Sequence, residues 1–220
     1  MTKDKQNLVK TASEEDQNKN IQNYYKLQSK IYDATRWTFL FGRKKLVRLL
    51  PFDRNAEIEI LEIGCGTGYN LKRLASAFPK AKLTGLDVSE DMIELSQKQC
   101  SSFKDRVELL QQPYGPKQQP MPKKYDAILF AYSLTMINPQ WEELIRHAEN
   151  DLKPDGVVGL ADFHDSNFLW FKKHMSNHHV RMDGHLLKLI KELYEPVVEE
   201  VKSAYGGVWQ YVVFVGKKKQ

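Results

Sequence analysis

Leu61-Glu62-Ile63-Gly64-Cys65-Gly66-Thr67-Gly68 is the stretch from which the fold can be read. An apolar run, Ile58 to Ile63, leads into three glycines at alternate positions, and Tyr69 to Ala77 follows with a helical pattern. A buried strand that turns into a helix through glycines brings bare backbone close to a ligand. The dinucleotide fingerprint G-x-G-x-x-G holds a pyrophosphate on the helix N-terminus. Here the third glycine comes one residue too early. Glu62, two residues before Gly64, would repel a diphosphate but suits a cationic or amine-bearing ligand. Asp87 follows the next apolar run, Lys82 to Leu86, where a carboxylate can accept both ribose hydroxyls.

Strand and helix patterns then alternate outward from this loop. Strands are expected at Glu57–Ile63, Lys82–Leu86, Val107–Gln111, Tyr125–Phe130 and Val157–Asp162. Helices are expected at Tyr69–Ala77, from a Ser89 cap through Cys100, and at Trp141–Leu152. Pro113 to Lys124 holds four prolines and a glycine and reads as a loop. Such alternation implies a parallel sheet with helices on both faces. Near the C-terminus it stops. Val197–Ser203 and Val208–Gly216 are β-rich runs joined across Tyr205-Gly206-Gly207, which reads as an antiparallel hairpin. The expected fold is α/β and Rossmann-like: a seven-stranded sheet of five parallel strands and a C-terminal antiparallel hairpin.

Before the loop, residues 1–20 are polar and read as a disordered or weakly helical arm. Residues 21–220 read as one domain, with helices near Tyr24–Tyr32 and over Trp37–Leu50 forming an N-terminal cap (21–50). The chain has 220 residues and a formal net charge of +5, part of it in Lys217-Lys218-Lys219. That balance is compatible with anionic surfaces or nucleic acid and selects neither. No apolar run approaches the roughly 20 residues that span a bilayer. The polar N-terminus has no signal-peptide core, and the two cysteines, Cys65 and Cys100, suggest no disulfide framework. A cytoplasmic protein is the expectation.

The glycine triplet with Glu62 and Asp87 at matching strand ends resembles the class I S-adenosylmethionine-dependent methyltransferases. The resemblance implies S-adenosyl-L-methionine as methyl donor and S-adenosyl-L-homocysteine as product. It implies a cofactor site made of Tyr32, Glu62, Gly64, Cys65, Gly66, Gly68, Asp87, Val88, Met92, Gln112 and Ser133. Many relatives carry an acid near the adenine after the third strand; this chain has Gln111-Gln112-Pro113-Tyr114 there.

Methyl transfer from a sulfonium is an in-line displacement that depends on positioning and exclusion of water. Aromatic faces suit the cationic centre. Two segments offer such a pocket: Ile31 to Arg43, and Asp162 to His185, which holds five of the six histidines. His164 and Asp165 directly follow the fifth strand, where ligands of open α/β sheets bind. Together with Tyr132 they are the candidate catalytic residues, although Asp162 or Asp165 is equally suited to cap a following helix. His174 and His178 have the spacing of a metal pair, but no convincing third ligand accompanies them, and no metal is expected.

The flanking segments narrow the resemblance. Tyr32-Asp33-x-x-Arg36-Trp37, Phe39 to Arg43, Asp162 to Asp165, His179 to His185 and Ala204 to Trp209 are similar to the betaine-lipid N-methyltransferases. These methylate the amino group of diacylglycerylhomoserine three times. The resemblance implies a lipid headgroup amine as acceptor, with a quinone or other small molecule as the alternative. Arg36, Arg43 and Arg181 are candidates to hold the homoserine carboxylate. Two aromatic–basic stretches, Asn167–Lys173 and Trp37–Lys45, suit association with a membrane surface or, as readily, packing against the sheet. A nucleic-acid methyltransferase is disfavoured, since Ala131 to Met136 stands where an Asp/Asn-Pro-Pro-Tyr/Phe motif would lie. A non-catalytic cofactor-binding protein is the further alternative. The sequence leaves the oligomeric state open.

Overall fold

The computed structural model describes residues 39–118, 121, 124–137 and 139–219. The chain divides into two units, Met1–Leu40 and Phe41–Gln220. Every element below belongs to the second. The arm expected over 1–20, the helical turns expected near Tyr24–Tyr32, and the candidates Tyr32 and Arg36 lie outside the described residues.

The sheet has seven strands in the order β3-β2-β1-β4-β5-β7-β6. They are β1 (Glu59–Ile63), β2 (Lys82–Asp87), β3 (Val107–Gln111), β4 (Tyr125–Ala131), β5 (Leu152–Phe163), β6 (Tyr194–Ala204) and β7 (Trp209–Lys218). The first five run parallel, and β7 is antiparallel to both β5 and β6. The helices are α1 (Arg43–Leu49), α2 (Tyr69–Ala77), α3 (Glu90–Gln99), α4 (Trp141–Asp151), α5 (Leu169–Ser176) and α6 (His185–Leu193). This is the expected fold class.

Side-chain alternation along the strands divides the core in two. Ile60, Leu83 and Leu129 pack with Leu46 of α1, Leu71 and Leu74 of α2 and Ile93 of α3. Leu61, Ile128, Phe130 and Phe214 pack with Ile145 and Ala148 of α4 and Leu189 and Ile190 of α6. Burying one such side chain contributes about 1.5–3 kcal/mol, so both layers are needed. Helix starts follow local chemistry. Ser89 Oγ accepts from Met92 N at 3.4 Å, and Glu90 and Asp91 occupy the first turn of α3, where acids complement the helix dipole.

Several boundaries differ from expectation. Of the helix expected over Trp37–Leu50, Trp37 and Thr38 lie outside the described residues; among those described, helix begins at Arg43, because Gly42 turns the chain with φ 83°. A Cβ at Gly42 would lie 2.7 Å from Val213 Cγ2. β5 begins at Leu152 rather than Val157; Leu152 pairs with Tyr125, and the register shifts before Val157 pairs with Ala127. The hairpin strands are longer than expected, and β6 carries Pro196 beside a register shift. Proline is tolerated there because β6 is an edge strand.

Candidate functional site

In the strand order, β1 and β4 are the neighbours at which the chain reverses direction across the sheet, and their C-terminal ends form the crevice where such folds bind ligands. The glycine loop leaves β1 at this point. Gly64 N and Cys65 N donate to Leu86 O, both at 2.9 Å, which ties the loop to the end of β2. Gly64, Gly66 and Gly68 all have positive φ, at 70°, 54° and 77°. At Gly64 a Cβ would stand 2.7 Å from Ser133 Cβ, so loop and β4 end touch backbone to side chain. At Gly66 a Cβ would meet nothing within 4 Å. The loop is therefore bare over open space.

Asp87 organises this space. Its Oδ2 accepts from Gly66 N at 2.8 Å and its Oδ1 from Ser89 N at 3.0 Å. Each carboxylate oxygen retains a lone pair for a further donor such as a sugar hydroxyl. Val88 beside it is 67% exposed, an apolar face at the rim. Gln112 N donates to Asp87 O at 3.1 Å, which holds the β3 end against the same rim. Met92 is half-buried at the start of α3.

Glu62 lies under the loop. It is 1% exposed, and Asn70 Nδ2 donates to its Oε1 at 2.6 Å. Its Oε2 is buried without a hydrogen bond of ordinary geometry. Burial pushes its pKa up to about 7, against the Asn70 bond and the nearby Arg43 charge, while Asp87 adds to the rise. A buried acid with an unsatisfied oxygen beside an open loop is the setting a cationic ligand group would complete. The residues present therefore fit an adenosyl cofactor bearing an amino group: Asp87 for the ribose, Glu62 for the cationic end, the glycine backbone between them. Asn70 is not among the residues the sequence motif singles out; its signal is a buried polar residue on α2. Cys65 is buried, and burial raises its thiol far above the ordinary range. It fits the loop as a small side chain.

On the acceptor side the chain leaves β4 through Tyr132, whose φ of 58° is unusual for a bulky residue. Its hydroxyl donates to Phe41 O at 2.8 Å, and its ring meets Phe163 edge-on at 4.8 Å. Burial raises its ionisation well above the ordinary phenol. With its proton committed, Tyr132 is placed to position neighbours rather than to accept a proton. Ser133 is buried against Gly64, and its Oγ has no hydrogen-bond partner among the described residues.

Asp162, at the end of β5, is fully buried. It accepts from Leu134 N (3.1 Å), Thr135 N (3.3 Å), Thr135 Oγ1 (2.5 Å) and Phe163 N (2.8 Å). Burial raises its pKa to about 6 against these four bonds. Its role is to fix the loop after β4, not to cap a helix. Asp165 is not the cap of α5 either: that position is Phe168, with no side-chain cap bond. Asp165 accepts from Ser166 N at 2.7 Å and pairs with Lys172 at 2.5 Å.

His164 is half-buried, and its Nδ1 lacks a partner among the described residues. Burial lowers its pKa, with Asp165 and Glu199 opposing. Its carbonyl accepts from Gly184 N at 2.8 Å. That bond brings in Asp183 and His185, a pair that nothing in the sequence pattern distinguishes within the long histidine-rich segment. His185 Nδ1 bonds Asp183 Oδ1, while its Nε2 is buried without a partner among the described residues. Its ring meets Trp141 edge-on at 4.5 Å. Burial holds His185 below the ordinary histidine value, although Asp183 opposes this. Two largely neutral imidazoles thus stand close to one another.

The three arginines separate. Arg43 lies over the Tyr69 ring at 4.1 Å, and its charge reaches both Glu62 and Tyr132. Arg181 N donates to Thr135 O at 3.0 Å, but its guanidinium is paired with Asp183 at 2.8 Å. Arg43 therefore belongs to the crevice, Arg181 braces Asp183, and Arg36 is outside the described residues. His174 and His178 rings meet at 5.0 Å. Among the described residues no group of three or more His, Cys, Asp or Glu side chains is arranged to hold a metal ion.

Comparison with known proteins agrees with this geometry. Residues 60–156 match the family model described as a methyltransferase domain. The malonyl-[acyl-carrier protein] O-methyltransferase of Priestia megaterium is 36% identical over 115 residues, covering 52% of this chain and 40% of that protein. The chain thus spans less than half the length of that relative. Among solved structures, the N-methyltransferase NodS from Bradyrhizobium japonicum, in complex with S-adenosyl-L-homocysteine, superimposes with TM-score 0.63 at 18% identity, covering 81% of this chain and 86% of that one. The 1,6-didemethyltoxoflavin-N1-methyltransferase of Burkholderia thailandensis, with 1,6-didemethyltoxoflavin and S-adenosylhomocysteine bound, gives TM-score 0.66 at 16% identity over 89% and 87% of the two chains. Residues 60–156 are thus similar to a methyltransferase domain, and the chain has the fold of these methyltransferase structures.

Proposed function

We propose that this protein is an S-adenosylmethionine-dependent N-methyltransferase whose acceptor is the amino group of a diacylglycerylhomoserine headgroup. The observation that carries the methyltransferase reading is the buried Glu62, open Gly66 and Asp87 lined up along one crevice. When bound, the cofactor supplies a methyl group activated on a sulfonium. The protein holds the acceptor nitrogen in line and keeps water out.

An amine acceptor must first lose a proton, because an ammonium has no lone pair. His164 and His185, both kept below the ordinary histidine value by burial, are the groups able to take it. The histidine would later return that proton to solvent, while the neutral nitrogen would be free to take the methyl group in exchange for the sulfur's bond to it. Arg43, at the crevice, has the charge and planar fork to hold the headgroup carboxylate. Segments far apart in sequence meet around one end of the sheet, Phe41 with Tyr132, His164 with Gly184, and Trp209 stacked on Phe171, and would wall the acceptor side.

A second reading is transfer to a carboxylate oxygen, the acceptor class named for the malonyl-[acyl-carrier protein] relatives. A carboxylate needs no deprotonation at neutral pH, so paired neutral histidines favour the amine. The experiment is methyl transfer from labelled S-adenosylmethionine to diacylglycerylhomoserine vesicles and, separately, to malonyl-acyl-carrier protein. Label in the lipid alone supports the proposal; label in the carrier protein alone replaces it with the second reading.

A further inference from the structure

The segment between β5 and α6 exposes three large apolar side chains in succession: Phe168 (44%), Leu169 (82%) and Trp170 (64%). They are mounted on a stiff base. Trp170 meets the buried Phe171 edge-on at 5.6 Å, and Phe171 stacks on Trp209 at 5.2 Å with the rings 9° apart. The base in turn adjoins Asp165, whose carboxylate pairs with Lys172 of α5. From Phe168 to His179 the chain carries two lysines and three histidines and no acidic residue. With Lys172 held to Asp165, Lys173 is the lysine that stands beside the apolar tip; an apolar tip with an adjacent lysine is complementary to an anionic bilayer surface, where aromatics sit at headgroup depth and lysines meet phosphates.

We infer that Phe168-Leu169-Trp170 at the start of α5 is an interfacial anchor that seats the protein on an anionic lipid surface. This surface sets the direction from which a headgroup enters, next to His164 and Asp165, and in that respect rests on the acceptor proposed above. A rigid ring stack beneath the tip means that insertion orders no new segment, so little conformational entropy opposes it.

The full chain is tested by sedimentation with sucrose-loaded vesicles of phosphatidylcholine, with and without phosphatidylglycerol. Binding is expected with the anionic vesicles and weaker binding with the neutral ones. The double change Leu169→Ser/Trp170→Ser should reduce partitioning at least about tenfold, and Lys173→Glu should remove the anionic preference. S-adenosylhomocysteine binding by calorimetry confirms that each variant is folded. If the double variant does not fold, Leu169→Ser alone, changing the most exposed side chain of the tip, carries the same test with a smaller loss. No binding by the unaltered chain, or equal binding by the folded variants, overturns the inference. So does a shift from dimer to monomer in the double variant without a change in vesicle binding, since the tip would then face a second copy. Vesicle binding is read without turnover, so its failure is separable from failure of the acceptor assignment. That assignment is read with detergent-dispersed lipid.

Discussion

Glu62 gives the most quantitative test of the cofactor site. Its pKa of about 7 in place of 4.5 means that ionising it inside the folded protein costs about 3 kcal/mol more than in water. The folded chain keeps the proton up to about pH 7 and the unfolded chain only up to about 4.5. Between these values the folded state binds more protons, so this group's contribution to stability declines as pH rises. A cationic ligand beside the buried carboxylate favours its ionised form, so binding expels the proton. The ionised fraction is about half at pH 7 and about one tenth at pH 6, which predicts cofactor affinity roughly fivefold weaker at the lower pH. Calorimetry in buffers of different ionisation enthalpy should show release of up to about half a proton per cofactor at pH 7. Glu62→Gln should abolish that release and weaken binding, while making the ligand-free protein more stable at about pH 8. Equal proton release from Glu62→Gln, or affinity independent of pH in the unaltered protein, would refute the assignment of Glu62 to the cationic end.

Other consequences follow from individual bonds. Asp162→Ala strands four buried donors, at about 1–3 kcal/mol each; chemical denaturation should show a loss of roughly 3 kcal/mol or more, and Asp162→Asn a smaller one. Asp87→Ala removes the acceptor for Gly66 N and Ser89 N and, on the proposed reading, the carboxylate that would hold the ribose, so calorimetry should show cofactor affinity falling by roughly a hundredfold. Gly68→Ala places a Cβ 2.4 Å from Ser96 Oγ at φ +77°, so thermal unfolding should report destabilisation along with weaker cofactor binding. His185→Gln keeps a hydrogen-bonding side chain but cannot take a proton. It should lower kcat by about 10²-fold or more with an amine acceptor and move the acidic limb of the pH profile, leaving cofactor affinity unchanged.

The cofactor half was legible because its chemistry is local in sequence. Three glycines, a strand before them and an acid at the end of the next strand are separated by few residues, and the parallel sheet places them by rule. Asp87, Gly66 and Glu62 stand where that rule puts them. The acceptor half was legible only as segments, because its contacts join distant positions. Nothing in Asp162 announces that it will take four donors from the β4 and β5 ends. The cap reading was reasonable for Asp165, yet its carboxylate is drawn to Lys172, seven residues on. The Asp183–His185 pair was hidden in a run of histidines, distinguished only once Gly184 was seen bonded to the His164 carbonyl. The aromatic stretch Asn167–Lys173 divides between core and surface. Phe171 is core, and Phe168, Leu169 and Trp170 are surface, a division that depends on where α5 meets β7.

The most direct measurement of the account is mass spectrometry of diacylglycerylhomoserine after incubation with the purified protein and S-adenosylmethionine. Lipid bearing added methyl groups, all on the headgroup nitrogen, is the expected product, with no change in the absence of the cofactor. Unmodified lipid alongside methyl ester formation on a carboxylate substrate would contradict it.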